Sequence, residues 1–93
     1  MARPSRVTIR LPTMIVDLEG GARVEEVLAS DLAGALDALI AARPRLGLHL
    51  LDEGGVPRRH VRMALNDRVV VDGEHVELHD GDRITVLHSV AGG

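Results

Sequence analysis

The strongest secondary-structure signal of the chain lies in residues 30–43, SDLAGALDALIAAR. Ser30-Asp31 offers short acceptor side chains that suit a helix N-cap, and apolar residues follow at helical spacing. Pro44 disfavours the α conformation of the residue before it, and Arg43 suits the negative end of a helix dipole. The pattern therefore predicts one main helix over residues 32–42, and its apolar face comprises Leu32, Ala35, Leu36, Leu39 and Ile40.

The residues before this helix indicate one clear strand, and the position of a second strand stays undecided. Residues 7–11, VTIRL, alternate apolar and polar side chains, and Pro12 ends the strand because it lacks a backbone donor. Both Met14–Leu18 and Arg23–Leu28 are candidates for the next strand, and the pattern alone does not choose between them. The first strand directs three side chains to the core: Val7, Ile9 and Leu11.

After the helix, a polar linker with four leucines is expected, followed by the turn EGGVP at residues 53–57. Residues 61–65 alternate as a third strand, Val69–Val71 continue extended after a turn, and a last strand contains Ile84 and Val86. We expect the first and last strands side by side at the sheet centre, with the helix on one face. The linker leucines are Leu46, Leu48, Leu50 and Leu51, and the further inward-facing strand residues are Val61, Met63, Leu65, Ile84 and Val86.

The amino-acid composition excludes or disfavours several classes of function before any motif is considered. The 93 residues suffice for one compact domain, so a deep substrate cavity and a self-sufficient enzyme are disfavoured. The absence of Cys excludes disulfides, thiolate metal sites and a thiol nucleophile. A net charge of −3 and the absence of aromatic residues argue against nucleic-acid binding, and no apolar run is long enough for a membrane span. We therefore expect a soluble cytoplasmic protein.

The sharpest chemical feature is the pair Gly92-Gly93 at the C-terminus, which composition alone would place there with a probability of about 1%. Two residues without Cβ atoms can thread a narrow channel, so the carboxylate of Gly93 could reach the α-phosphate of ATP in another protein. The resulting acyl adenylate has a good leaving group, which sulfide or a persulfide can displace to give a thiocarboxylate. The alternative is a frayed chain end or a cloning remnant.

Several segments, taken in order, resemble the ubiquitin-like sulfur carriers of the MoaD/ThiS family, nearest the CysO type. They are LDAL at 36–39, PRL at 44–46, VRMALND at 61–67, DGD at 80–82 and ITVLHSVAGG at 84–93. The resemblance covers Val7 to Gly93 and implies an α+β fold, the ubiquitin-like β-grasp, with a mixed sheet and one main helix on one face. It places the second strand near Val24–Leu28 and makes Met14–Leu18 a loop.

The resemblance also implies the site and its partners. Gly93 matches the residue that is adenylated and thiocarboxylated, and Val90, Ala91 and Gly92 match the tail that enters partner active sites. The implied partners are an E1-like adenylyltransferase/sulfurtransferase, which uses ATP, and a sulfur-accepting biosynthetic enzyme; the carrier itself binds no cofactor. Residues 1–88 would form the domain and residues 89–93 a flexible tail. The family commonly has Pro before the tail, where this chain has His88-Ser89.

Other functions remain compatible with the same features. The small subunit of molybdopterin synthase shares most of these motifs, and a ubiquitin-like modifier would transfer its activated Gly93 to a lysine of a target protein. A β-grasp adaptor with an incidental Gly pair is the third possibility. The acceptor of the sulfur, in the biosynthesis of cysteine, a cofactor or a natural product, is not specified by the sequence.

A candidate docking surface lies on the polar face of the predicted sheet. Arg62 and Ala64 on one strand, with Thr85 and Leu87 on its neighbour, would form a partly apolar patch leading into the tail. Ordinary exposure of surface apolar residues is the alternative interpretation.

Two weaker signals have simpler explanations. A metal site at His75, Glu77, His79 and Asp80 is disfavoured because no Cys or helical HExxH motif supports it. A basic stretch could contact a phosphate or an acidic partner, but a solvated loop is the favoured interpretation. This stretch contains Arg58, Arg59, His60 and Arg62.

Overall fold

A computed structural model describes residues 3–71 and 73–88 of the chain. The strands are β1 (Ser5–Arg10), β2 (Val24–Ala29), β3 (Val61–Leu65), β4 (Arg68–Val69) and β5 (Arg83–His88). The helices are α1 (Thr13–Glu19), α2 (Leu32–Ala42) and α3 (Pro44–Leu50). Within the described residues, no helix is long and apolar enough to cross a membrane.

The strands form one mixed sheet in the order β2-β1-β5-β3-β4. β1 and β5 are parallel neighbours at its centre, and the other adjacent strands are antiparallel. This arrangement confirms the β-grasp fold, the second strand at β2 and the expected pairing of the first and last strands.

The core lies between one face of the sheet and the helices. The inward-facing residues were predicted correctly: six of them are buried, and Met63 and Leu65 are half-buried and pack against the core. Val76 and Leu78, from the segment before β5, are buried as well. The six buried residues are Val7, Ile9, Leu11 directly after β1, Val61, Ile84 and Val86.

The main helix α2 begins and ends where the sequence predicts. The Asp31 carboxylate accepts a hydrogen bond of 2.7 Å from the Gly34 backbone N–H, which satisfies a free donor of the first turn. Leu39 is fully buried on its inner face.

Arg43 has a different role from the one expected. Its guanidinium extends away from the end of α2 and donates to the carbonyl oxygens of Gly20 and Ala22, at 2.6 and 3.1 Å. It also forms an ion pair with Glu25 at 3.2 Å. Arg43 therefore links the end of α2 to the turn before β2. The expected interaction with the helix dipole does not include this long-range contact.

The expected loop at Met14–Leu18 is wrong, because these residues belong to α1. The carbonyl oxygen of Pro12 accepts hydrogen bonds from the N–H groups of Ile15 and Val16, and the helix ends at Gly20, whose φ is 76°. Ile15 is buried on the core side. A helix of seven residues that buries one side chain is too short to show a clear helical period.

The linker expected after α2 is also wrong, because it forms the helix α3. Pro44 ends α2 but also occupies the first turn of α3, where its missing N–H costs nothing. Leu46 and Leu50 are buried. A Cβ atom at Gly47 would lie 3.3 Å from a methyl group of Ile40, so the glycine allows α2 and α3 to pack closely.

A polar cluster joins α1 to α3. The Glu19 carboxylate accepts hydrogen bonds from Arg45 Nε and from His49 Nε2, the latter at 2.7 Å. The Glu19 side chain is 10% exposed, so α3 covers most of it. The hydrogen bond from Arg45, and after it the one from His49, lowers the pKa of Glu19 below its ordinary value of 4.5.

We expect Glu19→Gln to lower the midpoint of thermal unfolding at neutral pH. Because the pKa of Glu19 is lower in the folded than in the unfolded state, its contribution to stability is complete above pH 4.5 and is lost as the pH falls through the lowered pKa. Unfolding of both proteins at pH 7 and at about pH 3 tests this, and the midpoints should converge in acid. Asp17→Asn, at an exposed position of α1, is the matched control. A difference that persists unchanged in acid would contradict the prediction.

Candidate functional site

The C-terminal end of β5 directly precedes the predicted site. β1 pairs with β5 from Arg83 to Thr85, whereas β3 pairs with β5 as far as His88, opposite Val61. The last part of β5 therefore projects past its pairing with β1, beside the start of β3. The predicted site residues Val90, Ala91, Gly92 and Gly93 follow this strand and lie outside the described residues.

The four residues of the predicted docking patch are brought together by the register of β3 and β5. Arg62 lies opposite Leu87, and Ala64 lies opposite Thr85, in adjacent cross-strand pairs. Side chains of directly opposed residues are neighbours on one face of a sheet. Arg62 is exposed, Leu87 is 41% exposed, and Ala64 and Thr85 are half-buried. They form a continuous patch on the face away from the helices, ending one residue before the end of β5.

The sequence analysis missed Val69, which extends this patch. Val69 lies opposite Ala64 in the pairing of β3 with β4 and is 56% exposed. Val70, the next residue, is buried and donates its N–H to the Met63 carbonyl oxygen. The run Val69–Val71 has no alternation of apolar and polar residues, so only the register reveals which valine faces outward.

The basic stretch lies at the same end of the sheet as the exit of the tail. Arg58, Arg59 and His60 are exposed and lead directly into β3. Arg58 Nε donates to the Leu48 carbonyl oxygen at 3.1 Å, and Arg62 Nη1 donates to the Arg59 carbonyl oxygen at 2.9 Å. These bonds fix the path of the stretch beside the start of β3.

The acidic residues near β5 accept backbone hydrogen bonds at the turn that precedes this strand. Asp80 Oδ1 accepts the Arg6 backbone N–H at 2.8 Å, and Asp82 Oδ2 accepts the His79 backbone N–H at 2.8 Å. Gly81, between them, has a φ of 87°, which favours glycine. In residues 3–71 and 73–88, no group of three or more His, Asp or Glu side chains is arranged to hold a metal ion.

Comparison with known proteins places this geometry in a family context. The model of the ThiS family matches residues 9–93. CysO in the BexX/CysO complex of Amycolatopsis orientalis is 28% identical, with a TM-score of 0.78 over 94% of this chain and 99% of that one. CysO of Mycobacterium tuberculosis is 26% identical, with a TM-score of 0.75 over 90% of this chain and 99% of that one.

An archaeal protein shares the fold at lower identity. SAMP1 of Haloferax volcanii is 24% identical, with a TM-score of 0.81 over 96% of this chain and 100% of that one. A comparison with curated protein sequences finds no match.

Proposed function

This chain belongs to the ThiS family of ubiquitin-like small proteins, and from that premise we propose that it is a sulfur carrier. Its reactive group is the C-terminal carboxylate of Gly93. The observation that carries the proposal is the extent of the family match, which continues through Gly92 to Gly93.

The proposed chemistry takes place in the active sites of partner enzymes. An oxygen of the Gly93 carboxylate attacks the α-phosphorus of ATP, and pyrophosphate leaves, giving an acyl adenylate. Sulfide then attacks the carbonyl carbon, AMP leaves, and the product is a thiocarboxylate. ATP is bound by the E1-like activating enzyme, and the carrier contributes the carboxylate and a tail narrow enough to reach it.

A sulfur-accepting biosynthetic enzyme is the second proposed partner. In the Amycolatopsis structure, CysO is in complex with BexX, which supports a carrier that works by binding partner proteins. We favour a CysO-type carrier, in cysteine or natural-product biosynthesis, over the small subunit of molybdopterin synthase, because two CysO structures match at 26 and 28% identity.

The test of the proposal is mass spectrometry of the intact protein after incubation with the E1-like enzyme, ATP and sulfide. We expect the mass gain that corresponds to exchange of one oxygen for sulfur, located at Gly93 by fragmentation. Omission of ATP is the control. If the mass never changes, the sulfur-carrier proposal is wrong, and attachment of Gly93 to lysines of other proteins would establish a modifier instead.

The patch of Arg62, Ala64, Thr85 and Leu87 is the proposed docking surface for the activating enzyme. Leu87→Asp should raise the KM for the carrier about tenfold, because a charge replaces an apolar contact in a desolvated interface. The assay is ATP–pyrophosphate exchange at varied carrier concentration. Leu28→Asp, at an exposed position on β2, is the control and should leave the KM unchanged. Equal KM values for both variants would refute this docking surface.

A further inference from the structure

Three arginines lie at the end of the sheet where β5 ends, and none of them has an acidic partner among the described residues. We call Arg58, Arg59 and Arg62 the basic collar. All three are exposed, and within residues 3–71 and 73–88 none of them forms an ion pair. Of the eight other arginines, four pair with carboxylates, and four form no ion pair within the described residues but are spread along the chain. The paired ones are Arg6, Arg43, Arg45 and Arg68, and the dispersed ones are Arg3, Arg10, Arg23 and Arg83. The collar is therefore a local positive surface on a protein whose net charge is −3.

The opposite end of the sheet carries charges of both signs, because the exposed Arg3 and Arg83 lie there together with three aspartates. Asp80 and Asp82 lie in the turn before β5, and Asp67 lies in the turn between β3 and β4. These turns are at the far ends of β5 and β3 from His88 and Val61, which are paired with each other. The collar differs from that end in having three arginines close together in the sequence, and a local surface of one charge orients a protein as it approaches a charged partner.

The length of the tail brings any partner close to the collar. Five residues follow His88, and a fully extended chain of that length spans about 17 Å. A partner that takes Gly93 into its active site must therefore place its channel entrance against the end of β5. Arg62 lies opposite Leu87 at this end, and its guanidinium donates a hydrogen bond to the Arg59 carbonyl oxygen.

We infer that the basic collar docks on an acidic rim around the channel of the activating enzyme that takes up the tail. This inference rests on the proposed function and identifies the recognition that brings the carboxylate to ATP. Tail and collar have complementary tasks: the uncharged residues Val90 to Gly92 fill the channel, and the collar supplies charge attraction outside it. Attraction between rim charges mainly increases the association rate and is weakened by salt.

The experiment compares two double charge reversals that change the net charge equally. Arg58→Glu with Arg59→Glu reverses the collar, and Arg3→Glu with Arg83→Glu reverses two exposed arginines at the other end of the sheet. ATP–pyrophosphate exchange by the activating enzyme is measured against carrier concentration at low and high NaCl. At low salt, we expect the collar variant to raise the KM for the carrier about tenfold and the control variant to raise it less than about twofold. The kcat should not change.

The dependence of the KM on NaCl and a variant with one substitution complete the test. The KM of the wild type should rise with NaCl, and that of the collar variant should rise much less, because the attraction is already lost. Arg58 donates to the Leu48 carbonyl oxygen, so Arg59→Glu alone, whose side chain makes no hydrogen bond in the described part of the chain, guards against a local structural effect. It should raise the KM in the same direction, with an unchanged midpoint of thermal unfolding.

Each other outcome has a definite meaning. Equal KM values for the two double variants, or a change in the KM for ATP instead of the KM for the carrier, would overturn the collar. If the wild type supports exchange and the collar variant has the same KM, the collar inference is wrong and the sulfur-carrier proposal stands. Wild type that supports no exchange with the activating enzyme refutes the proposed function, and the collar inference falls with it.

Discussion

An additional alanine after Gly93, or deletion of Gly93, is expected to reduce ATP-dependent activation by at least about a hundredfold. The reacting oxygen must lie in line with the α-phosphorus of ATP, and one residue more or less moves the carboxylate by about 3.5 Å. Such a displacement removes the near-attack geometry on which the adenylation step depends. Gly92→Val should also impair activation, because its side chain would obstruct a channel shaped for glycine.

The measurement is pyrophosphate exchange together with the mass of the thiocarboxylate product. An alanine added before Met1 serves as the control for an extension of equal size. The free energy of unfolding should change by less than about 0.5 kcal/mol in all these variants, as is usual for changes away from the core. If the C-terminally extended protein gained sulfur as fast as the wild type, Gly93 would not be the reactive residue.

The elements that the sequence predicts correctly have a long or regular hydrophobic period. α2 contains eleven residues with a capping aspartate, and β3 and β5 have a large apolar residue at each predicted inward-facing position. α1 and α3 have seven residues each and bury one and two side chains, so their periods are too short to distinguish a helix from a loop. Pro44 was interpreted as the end of α2, and its second role at the start of α3 depends on the packing of Leu46 and Leu50.

The residues of the candidate site also differ in how far the sequence predicts their positions. Strand alternation predicts that Arg62 and Leu87 share the outer face of the sheet, whereas their direct pairing and the exposure of Val69 depend on the strand register. Arg43 contacts Gly20, 23 positions away, and Glu19 contacts His49, 30 positions away. Local patterns carry no information about such polar contacts. The roles of Val90 to Gly93 stay predictions from the family resemblance.

Leu39→Ala is expected to have the largest effect on stability. Leu39 is fully buried between α2 and the sheet, and truncation of such a leucine removes apolar burial and leaves a cavity. The expected cost is about 2 to 5 kcal/mol. For a chain of 93 residues, the total free energy of unfolding is about 5 to 14 kcal/mol, so this loss is a large fraction of it. Leu36→Ala, one turn earlier on the same helix face, should act in the same direction.

Urea denaturation measures this loss, with Leu48→Ala as the matched control. Leu48 lies on α3 and is 65% exposed, so its truncation should change the free energy of unfolding by less than about 0.5 kcal/mol. Equal stability of Leu39→Ala and wild type would contradict the packing of α2 on the sheet. At a temperature where Leu39→Ala remains folded, its activation by the E1-like enzyme should match the wild type. The reason is that the proposed recognition uses surface residues of β3, of β5 and of the stretch before β3, together with the tail, whereas Leu39 is buried. Stability and activation should therefore vary independently.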